Sequence, residues 1–338
     1  DLDEVGASII LANTYHLSLR PGHERIRQLG GLHRFMAWER PILTDSGGFQ
    51  VVSLGDLRRV DDEGVTFRSH LDGALLDFTP EHAIAVQEAL GSDIAVCLDQ
   101  PVPPHASSHR EVAEATARTY RWAERCLAAH GRPDQALFGI VQGGLVEDLR
   151  REATATIGRL PFDGLCIGGL AGDETPAQRR AVLDVVVPLL ADDPRPRYLM
   201  GLGSPLDLFD AVDAGIDMFD SVLPARVARN GSLWTPEGRL NLRNARYLDD
   251  ARPVQEGCPC RLCRTFSRAY LAHLFRAGEL LAYRLATCHN LTFTLDFMAS
   301  IRSAIRAGTF PEMKRSLRAS QAVTNGVETA DEGRVKPG

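Results

Sequence analysis

The chain has 338 residues, 44% hydrophobic and 24% charged, an ordinary composition for a soluble globular enzyme and enough length for one large α/β barrel with an appendage, or two domains. No apolar run approaches the roughly 18–20 residues that cross a bilayer, and no signal peptide is visible, so the expected setting is cytoplasmic with no membrane partner. A net charge of −6 gives no hint of a nucleic-acid partner but leaves room for one, because a local stripe of arginine suffices for phosphate contact.

In chain order, short apolar runs recur at 8–12, 42–44, 94–98, 137–141, 165–167, 198–200 and 216–219, and each ends in a polar residue or glycine. Helical patterns lie between most of them. Thr79-Pro80-Glu81 reads as an N-cap with proline at the first helical position, leading into a helix over 82–90. Further helices are expected at 108–129, from Thr175-Pro176 towards Leu190, and from Ser204-Pro205 through Ala214. Alternating buried strands and helices imply parallel strands, and seven of them with functional-looking residues at their C-terminal ends imply a (β/α)8 TIM-type barrel over 1–230. The sequence opens on Asp1 rather than Met, and the first barrel strand is expected to precede it. The strands in hand would then be the second to the eighth. An open doubly wound sheet is the alternative, but no Gly-rich dinucleotide fingerprint follows an early strand.

After Asp220 the pattern changes. The runs 231–234 and 240–242 flank Thr235-Pro236-Glu237-Gly238 and predict a hairpin. A cysteine cluster follows, then helices at 265–277 and 289–307, so 231–318 is expected to be a zinc-binding and helical subdomain. From 319 to 338 apolar content is low and a disordered tail is expected.

Cys258, Cys260 and Cys263 form C-x-C-x2-C, and Cys288 and His289 follow 25 and 26 residues after Cys263. Three thiolates and one further sulfur or imidazole fill the tetrahedron that zinc prefers, leaving no position for a substrate water, so the expected zinc is structural. Spacing alone leaves Cys288 and His289 open as the fourth ligand.

The stretch 215–231, Gly-Ile-Asp-Met-Phe-Asp-Ser-Val-Leu-Pro-Ala-Arg-Val-Ala-Arg-Asn-Gly, places Asp220 between a buried strand and a basic loop with Arg226 and Arg229. A carboxylate there is well placed to act as a nucleophile beside a polyanion, or simply to cap the next segment. Asp45 stands at another strand end in Thr44-Asp45-Ser46-Gly47-Gly48-Phe49-Gln50, and Asp99 at a third. Gln142 with Gly143-Gly144 supplies an amide that donates and accepts at once, and Gly168-Gly169-Leu170 offers bare peptide groups. Together they match the edge of a purine-like base, with Phe49 and Met200 on its faces. Each residue has a bland reading as a turn cap or as core, but seven successive strand ends of this kind argue for a site. Two carboxylates at a sugar carbon are the usual equipment of retaining glycosyl chemistry.

The blocks Asn13-Thr14-Tyr15-His16-Leu17, 44–50, Ser69-His70-Leu71-Asp72-Gly73, Gln142-Gly143-Gly144, Gly168-Gly169-Leu170, Tyr198-Leu199-Met200-Gly201 and Asp217-Met218-Phe219-Asp220, with the cysteine cluster, closely resemble the tRNA-guanine transglycosylases, to about Arg318. The resemblance implies base exchange at wobble position 34 of tRNAs with a GUN anticodon. Asp220 would attack C1′ and expel guanine, and a 7-substituted 7-deazaguanine would attack the same carbon, with retention. Asp45 matches the acid/base residue. Asp99, Gln142, Gly169 and Leu170, beside Ser46, would read the base. Arg226 and Arg229 match the anticodon-gripping loop, His289 the fourth zinc ligand, and a homodimer is the expected assembly. No redox or nucleotide cofactor is implied.

Three positions depart from the bacterial pattern: Phe49 stands for tyrosine, Pro101 for cysteine and Gly172 for valine. Phe49 and Gly172 look more like the eukaryotic catalytic subunit. Glycine at 172 removes three carbons from the pocket wall, which favours queuine over the smaller preQ1. A noncatalytic tRNA-binding subunit should lack the acids present at 45 and 220. A zinc-stapled glycosidase acting on free sugars would have no use for the Arg226/Arg229 pair.

Overall fold

A computed structural model describes residues 1–52, 58–69, 71, 73–102 and 108–318. His70, Asp72 and the tail at 319–338 lie outside the described residues. Packing divides the chain into two compact units, Ala7–Pro224 and Asp1–Gly6 with the residues from Ala225 on.

In chain order the first unit carries β1 (Ile10–Asn13), β2 (Ile42–Asp45), β3 (Arg58–Val60), β4 (Val65–Arg68), β5 (Leu75–Phe78), β6 (Ile94–Val96), β7 (Ala136–Val141), β8 (Gly164–Ile167), β9 (Arg197–Leu199) and β10 (Met218–Phe219). Seven of these form one sheet in the order β1-β2-β6-β7-β8-β9-β10, every neighbouring pair parallel. Sequential parallel strands joined by helical crossovers give the curled sheet of a (β/α)8 architecture. β8 is buried along its whole length, as expected where helices cover one face and barrel side chains fill the other.

The helices begin where their caps dictate. The Thr79 hydroxyl accepts from the His82 amide ahead of helix Pro80–Leu90. Ser108 and Thr175 close capping boxes with Glu111 and Gln178, and Ser204 caps helix Pro205–Ala214. Ile84, Trp122 and Ala123 of two such helices share a core with Val96, Leu137 and Ile140 of the strands.

The antiparallel sheet β3-β4-β5, between β2 and β6, was not expected from the apolar runs. Its strands are three or four residues long and carry their signal as alternation. In β4, Val65 and Phe67 point inward while Arg68 is exposed.

Helix Leu223–Arg229 carries the chain from the first unit into the second, where the hairpin β11 (Ser232–Thr235) and β12 (Gly238–Asn241) follows. The expected hairpin is present, turning over Pro236-Glu237. The basic segment read as a loop is instead helical. The Ser221 hydroxyl accepts from the Leu223 amide at 3.1 Å, and Pro224 suits a first turn because it needs no amide partner there. The helix expected at 265–277 is present as Arg268–Ala277, capped by Ser267, and a separate short helix, Arg261–Thr265, precedes it. The helix expected at 289–307 starts earlier, at Leu280, because Ala282, Leu285, Ala286 and His289 form one buried stripe at helical spacing. This unit has its own core, built from Leu233, Leu242, Tyr247, Leu262, Leu271 and Phe275. No helix among the described residues is long and apolar enough to cross a membrane.

Candidate active site and metal centre

The parallel sheet sets its polar residues side by side at one end. Register pairs Asn13 of β1 with Asp45 of β2. The Asn13 Nδ2 donates to Asp45 Oδ2 at 2.6 Å, and its Oδ1 accepts from the His16 amide at 2.9 Å, so one side chain caps a helix and orients a carboxylate. The Thr14 amide donates to Asp45 Oδ1 at 3.1 Å. Burial outweighs these bonds, and with the nearby charge of Asp220 it pushes the Asp45 carboxyl up to about 7. An acid poised there can give or take a proton at neutral pH.

Asp220 follows β10 and is half-buried. Its Oδ1 accepts from the Tyr198 hydroxyl at 2.5 Å and from the Gly201 amide at 2.7 Å. Among the described residues no hydrogen bond reaches Oδ2, which keeps its lone pairs for another partner. Tyr198 is fully buried on β9, and burial first, then the Asp220 charge, raises its phenol well above the ordinary range, so it stays a donor.

Asp99 and Gln142 meet deeper in the site, where Gln142 Nε2 donates to Asp99 Oδ2 at 2.6 Å. Burial raises the Asp99 carboxyl to about 6, against the hydrogen bonds from Gln142 and Ser46. Gly48 must be glycine here, because a Cβ would lie 2.8 Å from Asp99 Oδ1. The same holds on the other side, where a Cβ on Gly168 would lie 2.6 Å from Gln142 Nε2 and one on Gly169 2.8 Å from Oε1. The Gln142 Oε1 is buried and accepts no hydrogen bond among the described residues. An orphaned buried acceptor beside a carboxylate with a raised pKa is a ready recognition point for a donor-rich heterocycle.

The other residues expected from the sequence stand as follows. Leu170 is fully buried, while Met200 is half-buried and packs on the main core. Phe49 is 64% exposed on helix Gly48–Val52. Pro101 is half-buried. The Gly172 amide donates to the buried Glu174 carboxylate at 2.8 Å, and a Cβ at 172 would sit 3.5 Å from both Glu174 oxygens. Arg226 and Arg229 lie three residues apart on one helix, exposed, with no ion pair or hydrogen bond among the described residues.

Sequence reasoning did not single out Tyr198, Asn13, Glu174 or Arg150. The first two stood inside recognised blocks, and a buried strand tyrosine next to a strand-end acid is a usable signal. Glu174 in a polar run and Arg150 on an amphipathic helix look like solvated residues.

In the second unit Cys258, Cys260, Cys263 and His289 turn their ligand atoms on one another, all within 4.8 Å. The sulfurs lie 3.7, 3.5 and 3.4 Å from His289 Nδ1. A tetrahedral zinc with ordinary Zn–S and Zn–N bonds needs S···N edges of about 3.5 Å, so the donor set fits that ion. The His289 Nε2 lies 2.8 Å from the Trp234 carbonyl, which can only accept, so the proton sits on Nε2 and Nδ1 keeps its lone pair for a metal. Cys288 is not in the cluster. It lines a cavity with Tyr283, Arg284 and Leu291 instead.

A family model described as queuine tRNA-ribosyltransferase matches residues 1–322. The chain belongs to this family. A queuine tRNA-ribosyltransferase of Symbiobacterium thermophilum is 53% identical over 314 residues, covering 93% of this chain and 78% of that protein. A protein of the same name from Thermus thermophilus is 53% identical over 315 residues, 93% of this chain and 81% of its own. That of Pelotomaculum thermopropionicum is 54% identical over 308 residues, 91% and 83% respectively. As a queuine tRNA-ribosyltransferase family member the chain is an enzyme, a transglycosylase of tRNA modification in queuosine biosynthesis, and its sheet is that of the family's TIM barrel.

Proposed function

We propose that this enzyme replaces guanine at the wobble position of GUN-anticodon tRNAs by a retaining double displacement through Asp220. The observation that carries this reading is the pair of hydrogen bonds on Asp220 Oδ1, which fix the carboxylate and leave Oδ2 for C1′ of the ribose. In the first half, Oδ2 attacks C1′, the C1′–N9 bond breaks, and its electrons leave with guanine. Asp45, half protonated near neutral pH, supplies the proton that neutralises the leaving base. In the second half Asp45 takes a proton from the incoming base, whose N9 attacks C1′ and returns the ester electrons to Asp220. Asp99, Gln142, Gly169 and Leu170 read the base edge, with Ser46 behind Asp99. Phe49 and Met200 cover the base's faces. Arg226 and Arg229 grip the anticodon phosphates of a splayed loop.

Queuine is the base we favour over preQ1. The support is Gly172, where a valine would add three carbons beside the Glu174 carboxylate, its Cβ at an ordinary contact distance of 3.5 Å. Zinc held by Cys258, Cys260, Cys263 and His289 would staple the second unit and take no part in the chemistry. We also favour a homodimer, on the family resemblance.

The test is release of labelled guanine from position 34 of a GUN tRNA transcript on adding queuine, preQ1 or guanine. Wild type should release label and form a denaturation-stable tRNA adduct. Asp220→Asn should lose release on the order of 10⁴-fold or more while still binding tRNA. Gly172→Val should impair queuine more than preQ1. Binding of tRNA without release by wild type, for every base, would make the chain a binding subunit.

A further inference from the structure

We propose that Arg150 is a positioning residue for the exchange reaction, clamping two strand ends so that Gln142, Gly169 and Leu170 meet the base at one fixed spacing. This rests on the reading of those three residues given above. Arg150 lies on helix Glu147–Gly158 and is fully buried. Its guanidinium donates from Nε to the Gly144 carbonyl at 2.7 Å, from Nη1 to Val141 at 3.0 Å and from Nη2 to Gly168 at 2.9 Å. Two of these acceptors bracket Gln142 in sequence, and the third belongs to the peptide whose N–H is that of Gly169.

No carboxylate hydrogen-bonds to this guanidinium among the described residues, although the charge of Glu174 acts on it. Burying a guanidinium is costly unless its N–H groups are satisfied. A planar fork can satisfy them on three carbonyls only if those carbonyls hold fixed directions, so the charge and the loop geometry require each other.

The neighbouring surface of the same peptides touches the reading residue. The Gln142 amide lies so close to Gly168 and Gly169 that a Cβ on either would fall within 2.8 Å of it. The Gly168 amide itself donates to Val141 at 3.1 Å, so that carbonyl serves both the strand pair and the clamp. A hydrogen bond accepted at the Gly168 carbonyl also polarises its peptide and strengthens the Gly169 N–H as a donor. Releasing the clamp would let the amide and the peptide groups drift apart, and the loss would be felt by the base rather than by the tRNA.

The experiment measures kcat and both KM values for base exchange by the full chain carrying Arg150→Lys or Arg150→Gln, alone and with Gln142→Ala. Lysine keeps the charge but loses the fork. We expect Arg150→Lys to raise KM for the free base about tenfold, the scale of one charge-assisted hydrogen bond. KM for tRNA should stay within about twofold, and the effect on base KM should shrink to about twofold in the Gln142→Ala background. Four results would overturn the proposal: an equal rise in both KM values, a lower kcat with base KM unchanged, additive effects in the cycle, or failure of both Arg150 variants to fold. The last would assign the guanidinium to stability alone. A wild-type enzyme that exchanges no base would sink the proposed function instead, and this inference with it.

Discussion

Asp45, half-buried, and Asp99, buried, are carboxylates of the sheet unit whose hydrogen bonds come from amides and hydroxyls, and loss of water leaves their pKa values near 7 and near 6. In the cysteine unit, four ligand atoms converge on one another, at spacings that a zinc ion fills. The first arrangement carries unsatisfied potential: a carboxylate that resists ionising and, among the described residues, a Gln142 oxygen and an Asp220 oxygen without a donor. The second closes on itself. Groups that must act on a substrate are kept short of partners at some cost in stability, whereas a staple satisfies every ligand and gains stability from doing so.

The largest effect that tests this contrast comes from the metal. Chelation, or Cys260→Ser, should remove a binding free energy on the order of 10 kcal/mol from the second unit. The two cores are built from separate residues, so calorimetry should reveal a low-temperature transition for the cysteine unit while the sheet transition persists. A single unshifted transition after verified metal loss would break the contrast.

Asp45→Asn comes next. It should lower exchange by about 10²–10⁴-fold, the usual weight of a general acid–base group. Its effect on stability has a defined sign. The folded carboxyl has a pKa raised above its unfolded value, so the native state holds the proton longer, and the associated stability is fully present below pH 3.8 and lost as pH rises through about 7. Asparagine cannot ionise and escapes that loss. The Tm of the variant relative to wild type should therefore climb from pH 4 to pH 8 and level off above it. A flat difference would mean that Asp45 is not buried as a carboxylate.

The smallest effect belongs to the exposed arginines. Arg226→Ala or Arg229→Ala should each reduce the slope of log K against log salt for tRNA binding by about 0.7, one single-stranded phosphate contact, without changing base KM. An unchanged slope would remove that arginine from the phosphate-binding surface.

Much of this protein is legible in the chain alone. Seven strand positions could be read because each carries a short apolar run, and the strand-end polar residues because they interrupt it. The cap residues Thr79, Ser108, Thr175 and Ser204 marked helix starts because unpaired first-turn amides demand an acceptor. The cysteine spacing announced a tetrahedral donor set. Sequence also carried the acids at 45, 99 and 220 as candidates, though not which of them sense one another.

Tertiary structure alone decided the rest. Spacing leaves Cys288 and His289 open, the family resemblance points to His289, and the phase of a helix that begins at Leu280 is what turns His289 to the sulfurs. The short antiparallel sheet at 58–78 was hidden because strands of three or four residues with alternating burial form no apolar run. That Tyr198 holds Asp220, and that Arg150 is buried against three carbonyls, follows from parallel register and from helix packing across long stretches of chain. Local sequence fixes which residues want burial or a cap, because those preferences act over a few neighbours. Which carboxylate loses its water, and which donor then reaches it, is set by the summed packing of every strand in the sheet.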